Sequence, residues 1–193
     1  MDRELIARDL RAERLDLADF LEGLTPEEWS HDSLCADWSV REVAAHLTTA
    51  DTLGATLAGL VRARGNWDRM NADAAVARAA RHTPRELVAQ LRAFAESPRR
   101  SPGAAPIDPL ADIIVHGQDI ARPLGRTRTA PTDDVVACLD HIVASRFYGA
   151  RKRLRGLRLS ATDADWAYGT GAEEVAAPVL DLLLLATGRP VAS

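Results

Sequence analysis

Cysteine is scarce: Cys35 and Cys138 are far apart and are the only two among 193 residues, which argues against a disulfide framework. The chain begins Met1-Asp2-Arg3-Glu4, with no positively charged start leading into an apolar run, so a cytoplasmic protein is expected. Long hydrophobic runs are lacking too. The most apolar late stretch, Val179 to Ala186, is interrupted by Asp181 and is far shorter than the roughly 20 residues that span a bilayer. It reads as a buried helix, with no membrane partner. Aromatic residues make up 5% of the chain and form no strand-borne platform for bases, and a net charge of −4 supplies no basic field for phosphate backbones. Nucleic acid is therefore not an expected partner. One cluster, Arg146, Arg151, Lys152, Arg153, Arg155 and Arg158, is locally basic, and reads either as a solvated helix end or as a meeting point for an anion.

What is present is ordinary globular material, 47% apolar and 27% charged, long enough for one well-buried core with a modest extension. Leu5, Ile6, Leu10, Leu15, Leu17, Phe20, Leu21 and Leu24 recur at helical spacing and predict an amphipathic first helix. Thr25-Pro26-Glu27-Glu28 supplies a cap, a first-turn proline and acidic residues for a short second one. Ser39-Val40-Arg41-Glu42 fits a capping box, and the helix it opens is expected to run to about Arg64 with Val43, His46, Leu47, Leu53 and Leu57 facing inward. A helix over about Asn71 to Arg81 rests on alanine content alone. Thr83-Pro84-Arg85-Glu86 repeats the capping box, with Leu87, Val88, Leu91 and Phe94 as its stripe. Four prolines break the pattern between Ser97 and Pro109. Helices are then predicted from Asp108 to Pro123-Leu124-Gly125, and from Thr132 toward Arg153.

After Gly156 the texture alternates. Leu157 to Thr162 and Trp166 to Tyr168 read as two antiparallel strands, Glu173 to Val175 as a third, and Pro178 to Thr187 as a closing helix ended by Gly188. The expected organisation is a helical bundle over residues 1–153 and a small α+β appendage over residues 154–193.

Asp112 and His116 lie four residues apart on an otherwise apolar helix, so a carboxylate oxygen and an imidazole nitrogen can meet at one point. Asp112 in such a setting needs a cation, a hydrogen-bond donor or a proton. A shared metal and a simple hydrogen-bonded pair both answer that need. His46, on the core side of another helix, is a third candidate ligand, because bundle cores build metal sites from facing helices. Two histidines, a carboxylate and open positions fit a catalytic rather than a closed site; zinc suits that set, as do iron(II), nickel and manganese. Asp119 is a candidate to orient His116 from behind, or to pair with Arg122. Trp38 reads as a packing anchor, and His31, His82 and His141 as surface or packing residues. Arg122 and the basic cluster after Phe147 are candidates for a substrate carboxylate, which guanidinium binds bidentately.

The run Leu34-Cys35-Ala36-Asp37-Trp38-Ser39-Val40-Arg41-Glu42-Val43-Ala44-Ala45-His46-Leu47 resembles the signature of the mycothiol-dependent maleylpyruvate isomerase family, within the DinB-like metalloenzyme superfamily. Asp112 to Ala121 resembles its second signature, an acidic residue four before a histidine followed by an aspartate, and Leu159 to Asp163 through Arg189 looks like its C-terminal part. The resemblance implies a mainly α, DinB-like four-helix bundle with a small C-terminal α+β appendage. It also implies a divalent metal on His46, Asp112 and His116, with mycothiol as cosubstrate. The chain departs from the pattern at 112, where the family more often has glutamate. The expected function is thiol transfer or isomerisation on a small electrophile, with a metal-binding accessory protein or a metal-dependent hydrolase as alternatives. Expected partners are a small-molecule substrate and a low-molecular-weight thiol, and a homodimer stays open.

Overall fold

The computed structural model describes residues 2–49, 53–98, 100–101 and 103–190, and the side chains of 53–56 and 68 lie outside that description. By internal contacts the chain divides into two compact units, Asp2–Arg128 and a second from Thr129 onward. The helical texture of the sequence continues to Arg153, but the last two helices before that point pack against each other and against the second unit's closing helix. No helix among the described residues is long and apolar enough to cross a membrane.

The first unit contains α1 (Arg3–Glu22), α2 (Pro26–Trp29), α3 (Val40–Leu47), α4 (Leu53–Arg62), α5 (Trp67–Ala79), α6 (Pro84–Ala93) and α7 (Asp108–Ala121). Four of these close a ring, α1 against α6 and α7, and α3 against the same two, which makes a four-helix bundle. Its centre is filled by Leu17 and Leu21 of α1, Leu87 and Leu91 of α6, and Leu110, Ile114 and Ile120 of α7, all fully buried. Capping boxes set the starts of α2 at Thr25/Glu28, α3 at Ser39/Glu42 and α6 at Thr83/Glu86.

The long helix expected from Ser39 to Arg64 is instead two. α3 ends at Leu47 because Thr48 and Thr49 both turn their hydroxyls back onto the Ala45 carbonyl, at 2.9 and 3.2 Å, which favours termination over another turn. Leu57, expected inward, is exposed, and Leu53's side chain lies outside the described residues. α5 starts earlier than alanine content suggested, where Asn66 Oδ1 accepts from the Arg69 N–H at 2.9 Å.

An ion pair crosses the bundle interior. Arg128 Nη2 donates to Glu13 Oε2 at 2.6 Å and stands 3.0 Å from Asp16 Oδ2, while Gln118 Nε2 holds the Arg128 carbonyl at 2.8 Å. The guanidinium lies over α7 at Gly117, where a Cβ would stand 2.5 Å from Nη1. Only glycine leaves that space. Burial pushes the Glu13 carboxyl up, and Arg128 only partly offsets it.

The second unit holds α8 (Thr132–Ala144), α9 (Ala150–Arg153), β1 (Leu157–Ala161), β2 (Ala167–Tyr168), β3 (Glu173–Ala177) and α10 (Val179–Thr187). β1 is central: Leu159 pairs with Tyr168 of antiparallel β2 and with Val175 of parallel β3. Trp166 Nε1 donates to Asp140 Oδ1 at 2.8 Å, and Gly188 at φ 89° ends α10. The basic cluster is largely engaged. Arg151 caps the Ala144 carbonyl at 2.9 Å, Arg153 reaches the Ala186 carbonyl, and Arg158 pairs with Glu174 at 2.8 Å.

Removing one partner of a buried pair strands the other charge. Arg128→Met is expected to cost about 3–5 kcal/mol in urea unfolding, and adding Glu13→Leu is expected to recover most of it. A loss under about 1 kcal/mol in the single variant would contradict this account.

Candidate metal centre

The capping box that starts α3 fixes where His46 emerges. Glu42 Oε2 accepts the Ser39 N–H at 2.9 Å, and Ser39 Oγ accepts the Arg41 N–H at 3.2 Å. Val43, Ala44, Ala45 and Leu47 are buried around the histidine, which keeps its ring partly open. On α7, the buried Ile113, Ile114, Val115 and Ile120 seat the helix, and Asp112 and His116 stand one turn apart on its remaining side.

The structure brings His46, Asp112 and His116 together, with one ligand-type atom from each within 4.8 Å of the others. His46 Nε2 is 3.6 Å from Asp112 Oδ2, and His116 Nε2 is 3.4 Å from Asp112 Oδ1. Good N–H···O bonds run at about 2.7–3.2 Å, so both distances are long for hydrogen bonding. They lie near the separation of about 3.3–3.6 Å between ligand atoms that share an ion at about 2.0–2.2 Å, although each runs to a different oxygen of Asp112. The two imidazoles meet edge to face, centroids 5.0 Å apart. Donor types and spacing therefore fit a divalent ion.

Asp112 has a 47% exposed side chain although protein surrounds it closely, so its carboxylate is enclosed but still open to solvent. Burial pushes its carboxyl up; the His116 charge and the contacts with His116 and His46 outweigh that and hold it below the usual carboxylate range. His116 moves the other way. Burial lowers it, but Asp112, Asp119 and Cys35 together raise it well above the usual imidazole value. Buried Arg14 on α1 adds positive charge: burial pushes it down to about 10 and Asp112 draws it up, while its Nη1 donates to the Phe94 and Ser97 carbonyls at 3.0 and 2.9 Å.

Asp119 is fully buried, and its Oδ2 accepts from His116 Nδ1 at 2.8 Å, leaving Nε2 for the side of Asp112. Arg122, the alternative partner in sequence, donates through Nε to Gln118 at 3.1 Å. Trp38 does more than anchor packing: its ring centroid lies 5.5 Å from that of His46 and 6.5 Å from that of His116. Sequence reasoning missed Cys35, whose Sγ is 3.1 Å from Asp119 Oδ2 and 3.6 Å from His116 Nδ1. Nothing in its spacing marks it, since the contact spans 84 residues. The other histidines have partners of their own or lie at the surface. His31 is exposed, His82 meets Gln90, and His141 lies beside Tyr148.

The first unit is thus a four-helix bundle that gathers two histidines and a carboxylate from facing helices, the way bundle cores build metal sites. The chain belongs to the family of the mycothiol maleylpyruvate isomerase N-terminal domain, whose model matches residues 10–137. No curated protein and no solved structure matches the chain.

The opposed shifts have a defined sign. His116, raised on folding, stabilises the metal-free fold below the unfolded imidazole value of about 6.5 and loses that contribution as pH rises through its folded value. Asp112, lowered, contributes above about 3.9 and loses it as pH falls toward its folded value. Asp112→Asn is expected to drop the His116 value in an NMR titration of metal-free protein. It should destabilise most between those two limits, and an unmoved His116 titration would refute the coupling.

Proposed function

We propose that the protein binds one divalent metal ion through His46, Asp112 and His116 and acts as a mycothiol-using S-transferase or isomerase on a small electrophile. The observation that supports the reading is the gathering of His46, Asp112 and His116, with one Asp112 oxygen 3.6 Å from His46 Nε2 and the other 3.4 Å from His116 Nε2, long for hydrogen bonds and close enough for the three side chains to share an ion. Family membership supports the thiol. Zinc suits the ligand set best, with nickel, iron(II) and manganese as alternatives.

When bound, such an ion with an open position makes a thiol or water acidic enough to ionise near neutral pH. The chain's own residues do the rest. Asp119 accepts a hydrogen bond from the Nδ1–H of His116 and so commits Nε2 to the metal side. A single coordinating carboxylate leaves an excess of positive charge at the centre, which favours an anionic partner such as a thiolate over a neutral one. The Trp38 ring walls the site beside both histidines and keeps water from that side. The open face at Asp112 leaves room for the cosubstrate.

Protein purified without added metal is expected to carry about one divalent ion per chain by elemental analysis, and His46→Ala and His116→Ala each less than about a tenth of that. Turnover of electrophiles should require added thiol. Equal turnover in water alone would make the protein a hydrolase, and a metal-free wild type that takes up no zinc would sink the reading. Because metal must displace a proton from His116, affinity is expected to fall as pH falls, with proton release visible as buffer-dependent heats in calorimetry.

A further inference from the structure

Cys35 belongs to no helix, yet its position is closely determined. Ser33 Oγ accepts the Cys35 N–H at 3.1 Å and donates to the Trp38 carbonyl at 2.8 Å. The Ser33 N–H reaches that same carbonyl at 2.9 Å, and the Trp38 N–H returns to the Cys35 carbonyl at 3.1 Å. Asp37 takes the left-handed conformation, φ 64°, that closes this turn. The Leu34 N–H then donates to the main-chain carbonyl of Asp119 at 3.0 Å, fastening the loop to the residue whose carboxylate the thiol meets.

Three polar groups of the pair and loop converge behind His116. Asp119 Oδ2 receives His116 Nδ1 at 2.8 Å and Cys35 Sγ at 3.1 Å, and Sγ and Nδ1 are 3.6 Å apart. Both donors meet the same oxygen, and the thiol, brought from a loop outside the helix, holds Oδ2 from a second direction beside the imidazole.

We propose that Cys35 is a positioning residue of the metal centre: its S–H donates to Asp119 Oδ2 and so aims the carboxylate that orients His116. The inference rests on the metal reading for its consequence at the ion, but the thiol–carboxylate–imidazole contact stands in the metal-free protein. A thiol is a weak donor. Its contribution lies in direction, and serine, a stronger donor on a shorter bond, replaces it.

The test compares Cys35→Ser, Cys35→Ala and Cys35→Val in the full chain. Val fills the thiol's space without a donor, which separates packing from hydrogen bonding. Two measurements are made: zinc affinity by chelator competition at one pH, and the His116 Nδ1–H signal by nitrogen-15 NMR in metal-free protein. Ala and Val are expected to bind zinc about tenfold more weakly and to lose the Nδ1–H signal to exchange, while Ser stays within about threefold of wild type and keeps it. Val matching wild type in both measurements overturns the proposal, as does failure of Ser to rescue. If the signal follows this pattern but wild type takes up no zinc, the metal reading fails and the positioning of His116 by Cys35 is upheld.

Discussion

An imidazole has two nitrogens, and a protein can use one only as reliably as it fixes the other. In this chain His116 Nδ1 is tied to the fully buried Asp119, three residues along the same helix. That tie turns Nε2 toward Asp112, one turn back, and toward His46 across the bundle. The rest of the first unit serves the arrangement: α7 is seated by its buried isoleucines, and its register is held by Arg128 lying over Gly117, next in sequence to the histidine. A change of one residue in the phase of α7 would turn both carboxylates and the imidazole away together.

Much of this was legible in the sequence because it is local. A serine or threonine three before a glutamate announces a helix start whatever surrounds it; the boxes at Ser39 and Thr83 fall where expected, and the cap expected at Thr25 proves to be a third box. The four-residue spacing of Asp112 and His116 needs only helical geometry. What was not legible is competitive or distant. Apolar periodicity carried the early helix past Thr49, but two hydroxyls bonding back to Ala45 ended it, a contest that periodicity does not weigh. The parallel pairing of β1 with β3 and the reach of Cys35 to Asp119 join segments with no shared pattern. Residue types and helix faces alone favoured a hydrogen-bonded pair over a metal for Asp112, and the separations of its two oxygens from the imidazoles are three-dimensional facts that no spacing along the chain carries.

The chain is a family member that carries aspartate at 112. A side chain one methylene shorter than glutamate still reaches within 3.6 Å of both imidazole nitrogens, each oxygen facing a different histidine. Its carboxylate thus lies between two helices. The shorter side chain keeps both of its oxygens close to α7, its own helix.

The early end of α3 has an electrostatic consequence. Because the helix stops at Leu47, His46 lies in its last turn, where the unpaired carbonyls of the helix macrodipole amount to about half a negative charge. A helix running on to Arg64 would have carried that charge some twenty-five ångströms away, at 1.5 Å per residue. Terminated by two threonine hydroxyls, α3 instead brings the cation-favouring pole of its own backbone to His46, whose Nε2 stands 3.6 Å from Asp112.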